Sequence, residues 1–377
     1  MYQNWNGDEI MKIVNTGNIF HLYDDSLKTF DQLPAQVYCV GFSKQTGFFL
    51  ETFNDIEVNE KIYGSHTEKV DKVFKSFEQF ERNMGVILSG AKGIGKSLFA
   101  KLLSMKAVEN GYPLIIVDAP YPGLSNFLTS ITQEVFIMFD EFDKTFKTRQ
   151  DGDFDPQADM LSLFDGFSMG KKCFIVTCNE LRGLNEFLVN RPGRFHYHFR
   201  FGYPQGDEIR EYLTDKINPE YHGEIEAVVQ FANKVNLNYD CLRAIAFELN
   251  LGTSFANAIQ DLNIVNTERD EFALTVVFKN GKKVKYDRGC YIDMFSDEEQ
   301  RYTFYGAVTF QIEFAPVDAV YNSLTMCNTL LGNEVKVTYV DEDDLKEGQT
   351  DKDWIEENPI DYVMIRRKKA KEIHYCV

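Results

Sequence analysis

Gly90-Ala91-Lys92-Gly93-Ile94-Gly95-Lys96-Ser97-Leu98 follows directly on the apolar run Gly85-Val86-Ile87-Leu88-Ser89. Its first eight residues fit G-x-x-x-x-G-K-[ST], the pattern of a phosphate-binding loop that leaves a buried strand and opens a helix. The glycines let the backbone fold back so that several N–H groups point into one concavity, at the positive end of a helix starting near Lys96. A loop of this kind places Lys92, Gly93, Ile94, Gly95 and Leu98 around a nucleotide's phosphates, with Lys96 on the β- and γ-phosphates and Ser97 on Mg²⁺. Taken alone, the pattern also fits a glycine-rich turn between a strand and a helix.

Val135-Phe136-Ile137-Met138-Phe139-Asp140-Glu141 is a second landmark, five apolar residues ending in two carboxylates. A strand buried on both faces reads as a continuous apolar run, and open α/β sheets bind ligands where such strands end. There Asp140 would hold Mg²⁺ through water or Ser97, and Glu141 would act as general base toward an attacking water. A solvated acidic turn is the alternative, and the position one βαβ unit after the phosphate loop favours the catalytic reading. A third run, Cys173-Phe174-Ile175-Val176-Thr177, ends at Cys178-Asn179, where Asn179 can orient the water or serve only as a turn residue. Asn190-Arg191-Pro192-Gly193-Arg194-Phe195 then sets two guanidinium groups around a Pro-Gly turn, either solvated or presenting positive charge to a phosphate.

In order and spacing, these landmarks and the helix end Leu161-Ser162-Leu163-Phe164-Asp165-Gly166 resemble the AAA family of P-loop ATPases, within the AAA+ superfamily. The resemblance covers about Ile62 to Asn250. It implies an α/β fold, a parallel sheet sandwiched by helices and followed by a helical lid. It also implies ATP hydrolysis with Mg²⁺ at the interfaces of a homo-oligomer, a hexameric ring, with Arg191 and Arg194 as arginine fingers reaching the neighbouring subunit's nucleotide. Tyr63 and Gly64 sit where family members place a loop against the adenine base. Arg243 opens a lid helix where other AAA+ branches touch the γ-phosphate in cis; a surface helix residue is the alternative. Tyr121-Pro122-Gly123 occupies the loop that polypeptide-threading members turn toward the pore, where Tyr121 and Gly123 would grip a substrate. The proline departs from the usual loop, and packing of Tyr121 beneath it stays open as a second reading. The layout also looks like that of AAA proteins from large bacteriophages.

Charge bounds the partners. The 377 residues carry 58 Asp and Glu against 40 Lys and Arg, a formal charge of −18. Polyanion binding gains from counterion release by cations, so general nucleic-acid affinity is disfavoured, though a ring can still line a pore with positive charge. The basic run Arg366-Arg367-Lys368-Lys369-Ala370-Lys371 fits either phosphate contact or a solvated face. No apolar run is long enough for a membrane span, and the N-terminus lacks a basic-then-apolar signal. Seven scattered cysteines show neither metal-ligand spacing nor a paired framework, which fits reduced thiols in the cytoplasm, of a host cell if the protein is viral.

Four segments are expected. Residues 1–61 form a small N-terminal module around the hairpin of Gln36–Phe42 and Gly47–Phe53. An amphipathic helix, Ser65 to Arg82, leads into an ATPase core over 62–204, followed by a helical lid over 205–262. Residues 263–377 form a β-rich accessory domain, signalled by Asn280-Gly281 between the alternating runs Phe272–Phe278 and Lys283–Tyr286. Further runs are Thr303–Phe310 and Val335–Val340. Acidic Asp341–Asp344 reads as a solvated loop. The expected activity is ATP hydrolysis coupled to remodelling of a macromolecule, a protein above all. A nucleotide-dependent assembly switch or scaffold, or a DNA-replication or packaging accessory, are the alternatives.

Overall fold

The computed structural model describes residues 12–16, 18–24, 26–54, 56, 58, 61–63, 66–147, 155–165, 170–189, 191–264, 271–286, 288–305, 309–322, 325, 327–338 and 351–368. Two compact units divide the chain, Met1–Phe201 and Gly202–Val377. Gly64, Asn190 and the acidic stretch 341–344 lie outside the described residues.

In the first unit, β1 (Lys12–Thr16) and β2 (Ile19–Tyr23) form a two-stranded antiparallel ribbon. β3 (Val37–Ser43) and β4 (Gly47–Thr52) make the expected hairpin, closed by Gly47 at φ 76°. Then come α1 (His66–Gln79), β5 (Met84–Ser89), α2 (Lys96–Glu109), β6 (Leu114–Val117), α3 (Leu124–Ser130) and β7 (Val135–Phe139). α4 (Phe142–Thr145), α5 (Pro156–Phe164), β8 (Lys172–Cys178) and β9 (Phe195–Arg200) complete it.

Seven strands join in the order β4-β3-β6-β7-β8-β5-β9, every pair parallel except the β3–β4 hairpin. β5 and β8 are buried along their whole length, as expected for central strands covered on both faces. Two apolar layers flank the sheet. On one side Val70, Val73, Phe74 and Phe77 of α1 and Phe99 and Leu103 of α2 pack on Val86 and Leu88. On the other, Leu124, Leu128, Phe142, Met160 and Phe164 pack on Ile115, Ile137 and Phe174.

The domain boundary expected at residue 61 is not where the chain divides. β3 pairs in parallel with β6, Val37 opposite Leu114 and Cys39 opposite Ile116, so the hairpin extends the main sheet instead of forming a module of its own. Backbone hydrogen bonding to an uncovered sheet edge supplies the reason.

The second unit begins with four helices, α6 (Gly206–Lys216), α7 (Ile225–Ala232), α8 (Tyr239–Asn250) and α9 (Phe255–Asp261). Strands follow: β10 (Glu271–Phe278), β11 (Lys283–Lys285), β12 (Cys290–Tyr291), β13 (Gln300–Phe304), β14 (Phe310–Phe314), β15 (Val320–Asn322), β16 (Cys327–Leu331) and β17 (Lys336–Thr338). α10 (Asp351–Glu357) and β18 (Ile360–Arg367) end it. Residues 202–264 and 271–368 therefore share one compact unit, although separate segments were expected.

One sheet runs β11-β10-β18-β16-β15, with β12 also on β10, and a second runs β13-β14-β17. Phe272, Leu274, Val276, Phe310, Ile312 and Val363 fill the core between them. The run Thr303–Phe310 is not one strand: Phe304 pairs back onto Phe310 between β13 and β14. Among the described residues, no helix is long and apolar enough to cross a membrane.

Candidate nucleotide phosphate site

The loop from Gly90 to Ser97 leaves β5 and enters α2, as a phosphate cradle requires. Gly90, Gly93 and Gly95 hold φ of 140°, 71° and 93°, where a Cβ is strained. Gly90 is further restricted, because a Cβ there would lie 2.4 Å from the Phe201 carbonyl oxygen. Gly95 is the N-cap of α2, and a Cβ would stand 3.0 Å from Nε2 of His66, whose ring packs near Phe99 and Phe201. The fourteen-residue helix directs its positive end and unsatisfied N–H groups at this loop. Ser97 and Lys92 are exposed, and Ile94 is buried beneath the loop.

Lys96 is 8% exposed, and its Nζ donates to the carbonyls of Gly90 and Ala91, each at 2.6 Å, and to Oδ1 of Asn179 at 3.0 Å. The ammonium thus ties the phosphate loop to the end of β8. Burial lowers its pKa, opposed by the negative charge of Asp143, Asp140 and Glu141 nearby. The same burial, with Asp143 adding to it, pushes the Cys178 thiol up to about 12, so it stays protonated beside the loop.

The two carboxylates are organised by Thr177, a residue the sequence reading passed over. β7 and β8 run parallel with Phe139 opposite Val176, which brings the next residue on each strand together. The Thr177 hydroxyl donates to Oδ1 of Asp140 at 2.5 Å and accepts from the Glu141 N–H at 2.8 Å. Glu141 has φ 46° and ψ 46°, and among the described residues no other non-glycine residue has positive φ. This backbone turns the Glu141 side chain away from the strand direction of Asp140 and costs about 1–3 kcal/mol. Lys144 donates to Glu141 Oε1 at 2.7 Å, and Lys92 of the phosphate loop lies 3.8 Å from the same oxygen. The Lys144 ammonium holds the Glu141 carboxyl below the usual carboxylate range.

Asp143 is a second residue missed from the sequence. Its Oδ2 accepts the backbone N–H of Asn179 at 3.1 Å and of Glu180 at 3.3 Å, and so fixes the end of β8. The Asn179 side chain then spans the site with Oδ1 on Lys96. Its Nδ2, buried, has no hydrogen-bond partner among the described residues. A buried donor without a partner is costly, and this one sits beside Lys96 at the glycine loop. Together with the glycine cradle it is what a magnesium-nucleotide triphosphate would require of these residues. Among the described residues, no group of three or more His, Cys, Asp or Glu could hold a metal ion.

The two arginines part company. Arg191 is exposed, its guanidinium over the Phe187 ring at 5.6 Å. Arg194 is 7% exposed; it forms a two-armed ion pair with Asp165, one arm at 2.5 Å, and donates to the Phe187 carbonyl at 2.6 Å. The expectation that Arg194 is displayed for a neighbour is therefore corrected: a carboxylate of its own chain holds it inside the turn. The Arg191 carbonyl closes that turn by accepting from the N–H groups of Arg194 and Phe195.

Tyr121 likewise sits in an aromatic group, 5.2 Å from Phe42 and 6.2 Å from Phe48, and packs against the core on the α3 side. That is the packing alternative for this loop, with Gly123 at φ 86° as N-cap of α3. Tyr63 is 5% exposed, with Lys61 over its ring and its carbonyl against Nδ1 of His66. Arg243 belongs to the second unit, 3.5 Å from Asp240 on α8. Cys39, Cys173, Cys178, Cys241, Cys290 and Cys327 are all free thiols.

Comparison with curated proteins returns no match for the chain. A family model does match. Residues 86–203 match that of the ATPase family associated with various cellular activities, and the matched segment holds Lys96, Asp140, Glu141, Asn179, Arg191 and Arg194.

Proposed function

We propose that this chain is an ATP-hydrolysing AAA ATPase that works as a homo-oligomeric ring and remodels a macromolecular partner. One observation carries the reading: at three neighbouring strand ends beside one glycine loop, Lys96 is bonded to Asn179 and Thr177 ties Asp140 to Glu141, two polar groups that flank the same loop. In it, the loop backbone and Lys96 bind phosphate, and Ser97 with Asp140 would hold Mg²⁺. Bound there, Mg²⁺ would neutralise phosphate charge. Glu141 takes the proton of the attacking water, and Asn179 orients that water through its amide nitrogen. Glu141 must exchange its contact with Lys144 to do so, since a carboxylate held by an ammonium is a weaker base.

Arg191 is the arginine that acts across the interface, and Arg194 positions its turn. The acidic excess of the chain favours a protein as the remodelled partner. Arg243 as a contact in cis, Tyr63 and Gly64 as base contacts, and Tyr121 with Gly123 as a pore loop belong to the same proposal and await their own tests.

The deciding experiment measures ATP binding and turnover with Mg²⁺ for the unmutated chain, Lys96→Ala and Glu141→Gln. Lys96→Ala should lose nucleotide affinity, whereas Glu141→Gln should keep it and lose turnover. A Glu141→Gln form that hydrolyses ATP at the parental rate removes the base assignment. An unmutated chain that binds no ATP removes the whole reading. Stimulation of turnover by peptide supports remodelling. Binding and assembly without stimulation supports a switch or scaffold instead, and stimulation by DNA supports a replication or packaging accessory.

A further inference from the structure

The second unit carries a basic, aromatic sheet face that stands out in a chain of net charge −18. Along β10, Phe272, Leu274, Val276 and Phe278 turn to the core, which leaves Ala273 and Thr275 on the opposite face, both half-buried. Register places their neighbours. On one side Thr275 is opposite Lys285, and Lys283 follows opposite Val277, while Tyr291 of β12 is opposite Glu271. On the other side Ala273 is opposite Arg366, and Tyr362 lies opposite Val277. Lys368, next along that face from Arg366, pairs with Glu271 at 2.8 Å.

The result is a shallow trough. Its floor is Ala273 and Thr275, and its walls are Lys283 and Lys285 on one side and Arg366 and Lys368 on the other. The walls stand two strand spacings apart, roughly 10 Å. Lys283, Lys285 and Arg366 are exposed, and among the described residues none of the three pairs with a carboxylate. Tyr291 is 66% exposed on the same face. Opposite Glu271 at one end of the face, this ring is left in water, an apolar exposure that a solvated charge face does not need.

We infer that this face binds single-stranded nucleic acid. Phosphates fit the two cationic walls, and bases have Tyr291 and Tyr362 to stack on, a combination that holds a single strand without reading its sequence. An acidic peptide could satisfy the cations but leaves the two tyrosines without a stacking partner. The acidic remainder of the chain confines a polyanion to this sheet. The inference does not rest on the ATPase reading, because binding here needs no nucleotide.

The test is fluorescence anisotropy of a labelled oligo-dT strand with the full chain, at about 50 mM salt and in a salt titration. Compared with the unmutated chain are Lys283→Glu/Lys285→Glu/Arg366→Glu, Tyr291→Ala and, as a control on the other unit, the exposed Lys44→Glu. The triple variant should lose about tenfold or more in affinity with a shallower salt slope. Tyr291→Ala should lose about fivefold with the slope unchanged, and Lys44→Glu should match the unmutated chain. Unfolding curves check that the variants fold; because these positions are on the surface, at least one of the triple variant and Tyr291→Ala should remain folded to report. Absence of oligo-dT binding by the unmutated chain overturns the inference, as does undiminished binding by the folded variants. Displacement of oligo-dT by poly-glutamate at equal charge, with Tyr291→Ala silent, would assign the face to acidic protein segments instead and also overturn it.

Discussion

Thr177→Val keeps the shape of a side chain that is 1% exposed and removes only its hydroxyl. Two hydrogen bonds go with it, the one donated to Asp140 at 2.5 Å and the one accepted from the Glu141 N–H at 2.8 Å. A hydrogen bond to a charged group contributes about 1.5–3 kcal/mol and a neutral one about 0.5–1.5 kcal/mol. Asp140 is exposed and recovers water, which brings the first figure to its lower end. Glu141, however, keeps its left-handed backbone with one restraint fewer. The net expectation is a loss of about 2 kcal/mol, or roughly 4–8 °C in the melting temperature of a unit of this size.

Turnover should fall further than stability suggests. The hydroxyl sets Asp140 and Glu141 relative to each other, and about 2 kcal/mol of lost orientation corresponds to roughly thirtyfold in rate. Thermal unfolding and steady-state ATP hydrolysis, measured on the unmutated chain, Thr177→Val and Thr177→Ser, decide the matter. Serine restores the hydroxyl and should restore most of both quantities. If valine changes neither by more than about 0.5 kcal/mol, or serine is as damaging as valine, the bridge does not organise the site.

Arg194→Ala should cost about 2 kcal/mol in unfolding experiments, since it removes a buried guanidinium that bonds Asp165 and the Phe187 carbonyl, whereas exposed Arg191→Ala should stay within about 0.5 kcal/mol. Mixing Arg191→Ala with Lys96→Ala, each inactive alone, should restore some ATP hydrolysis; mixed rings that restore none would remove Arg191 from the interface. Lys172 is fully buried with Nζ on the carbonyls of Ile131 and Gly170, and burial lowers its pKa to about 8. Between about 8 and the ordinary 10.5 the unfolded chain therefore binds more protons than the folded one, so stability rises with pH there. Relative to Lys172→Met, the unmutated chain should gain stability across that window in urea unfolding at stepped pH, and a flat difference would contradict the assignment. Tyr121→Ala should destabilise the first unit by opening the Phe42 and Phe48 group; normal stability with lost substrate stimulation would return the residue to a gripping role.

The parts of the site that are legible in the sequence are those whose cause is local. The phosphate loop is a backbone requirement, and glycine spacing records it: three positive-φ glycines within six residues, followed by Lys96 at the first turn of a helix. β5, β7 and β8 announce themselves because strands covered on both faces need unbroken apolar runs. The hairpin of β3 and β4 is equally readable, yet its membership of the main sheet is not. Parallel pairing of Val37 with Leu114 joins distant residues through backbone groups, which leave no mark on side-chain composition.

Polar partners are hidden for the same reason. Thr177 looks like an ordinary β-former at the end of an apolar run, and what makes it a bridge is the register that sets Val176 against Phe139. A shift of one residue would turn its hydroxyl to the other face and separate it from Asp140. Arg194 shows its charge in the sequence, but whether that charge is displayed or spent depends on Asp165, twenty-nine residues away at the end of α5. One clue was available: Asp165 interrupts the apolar Leu161–Phe164 helix end just before Gly166, where a carboxylate needs a cation. A pair of arginines in a turn is thus two different objects once the helix before it is placed. Arg191 stays exposed because the other guanidinium, held to Asp165 and the Phe187 carbonyl, keeps the turn from collapsing around it.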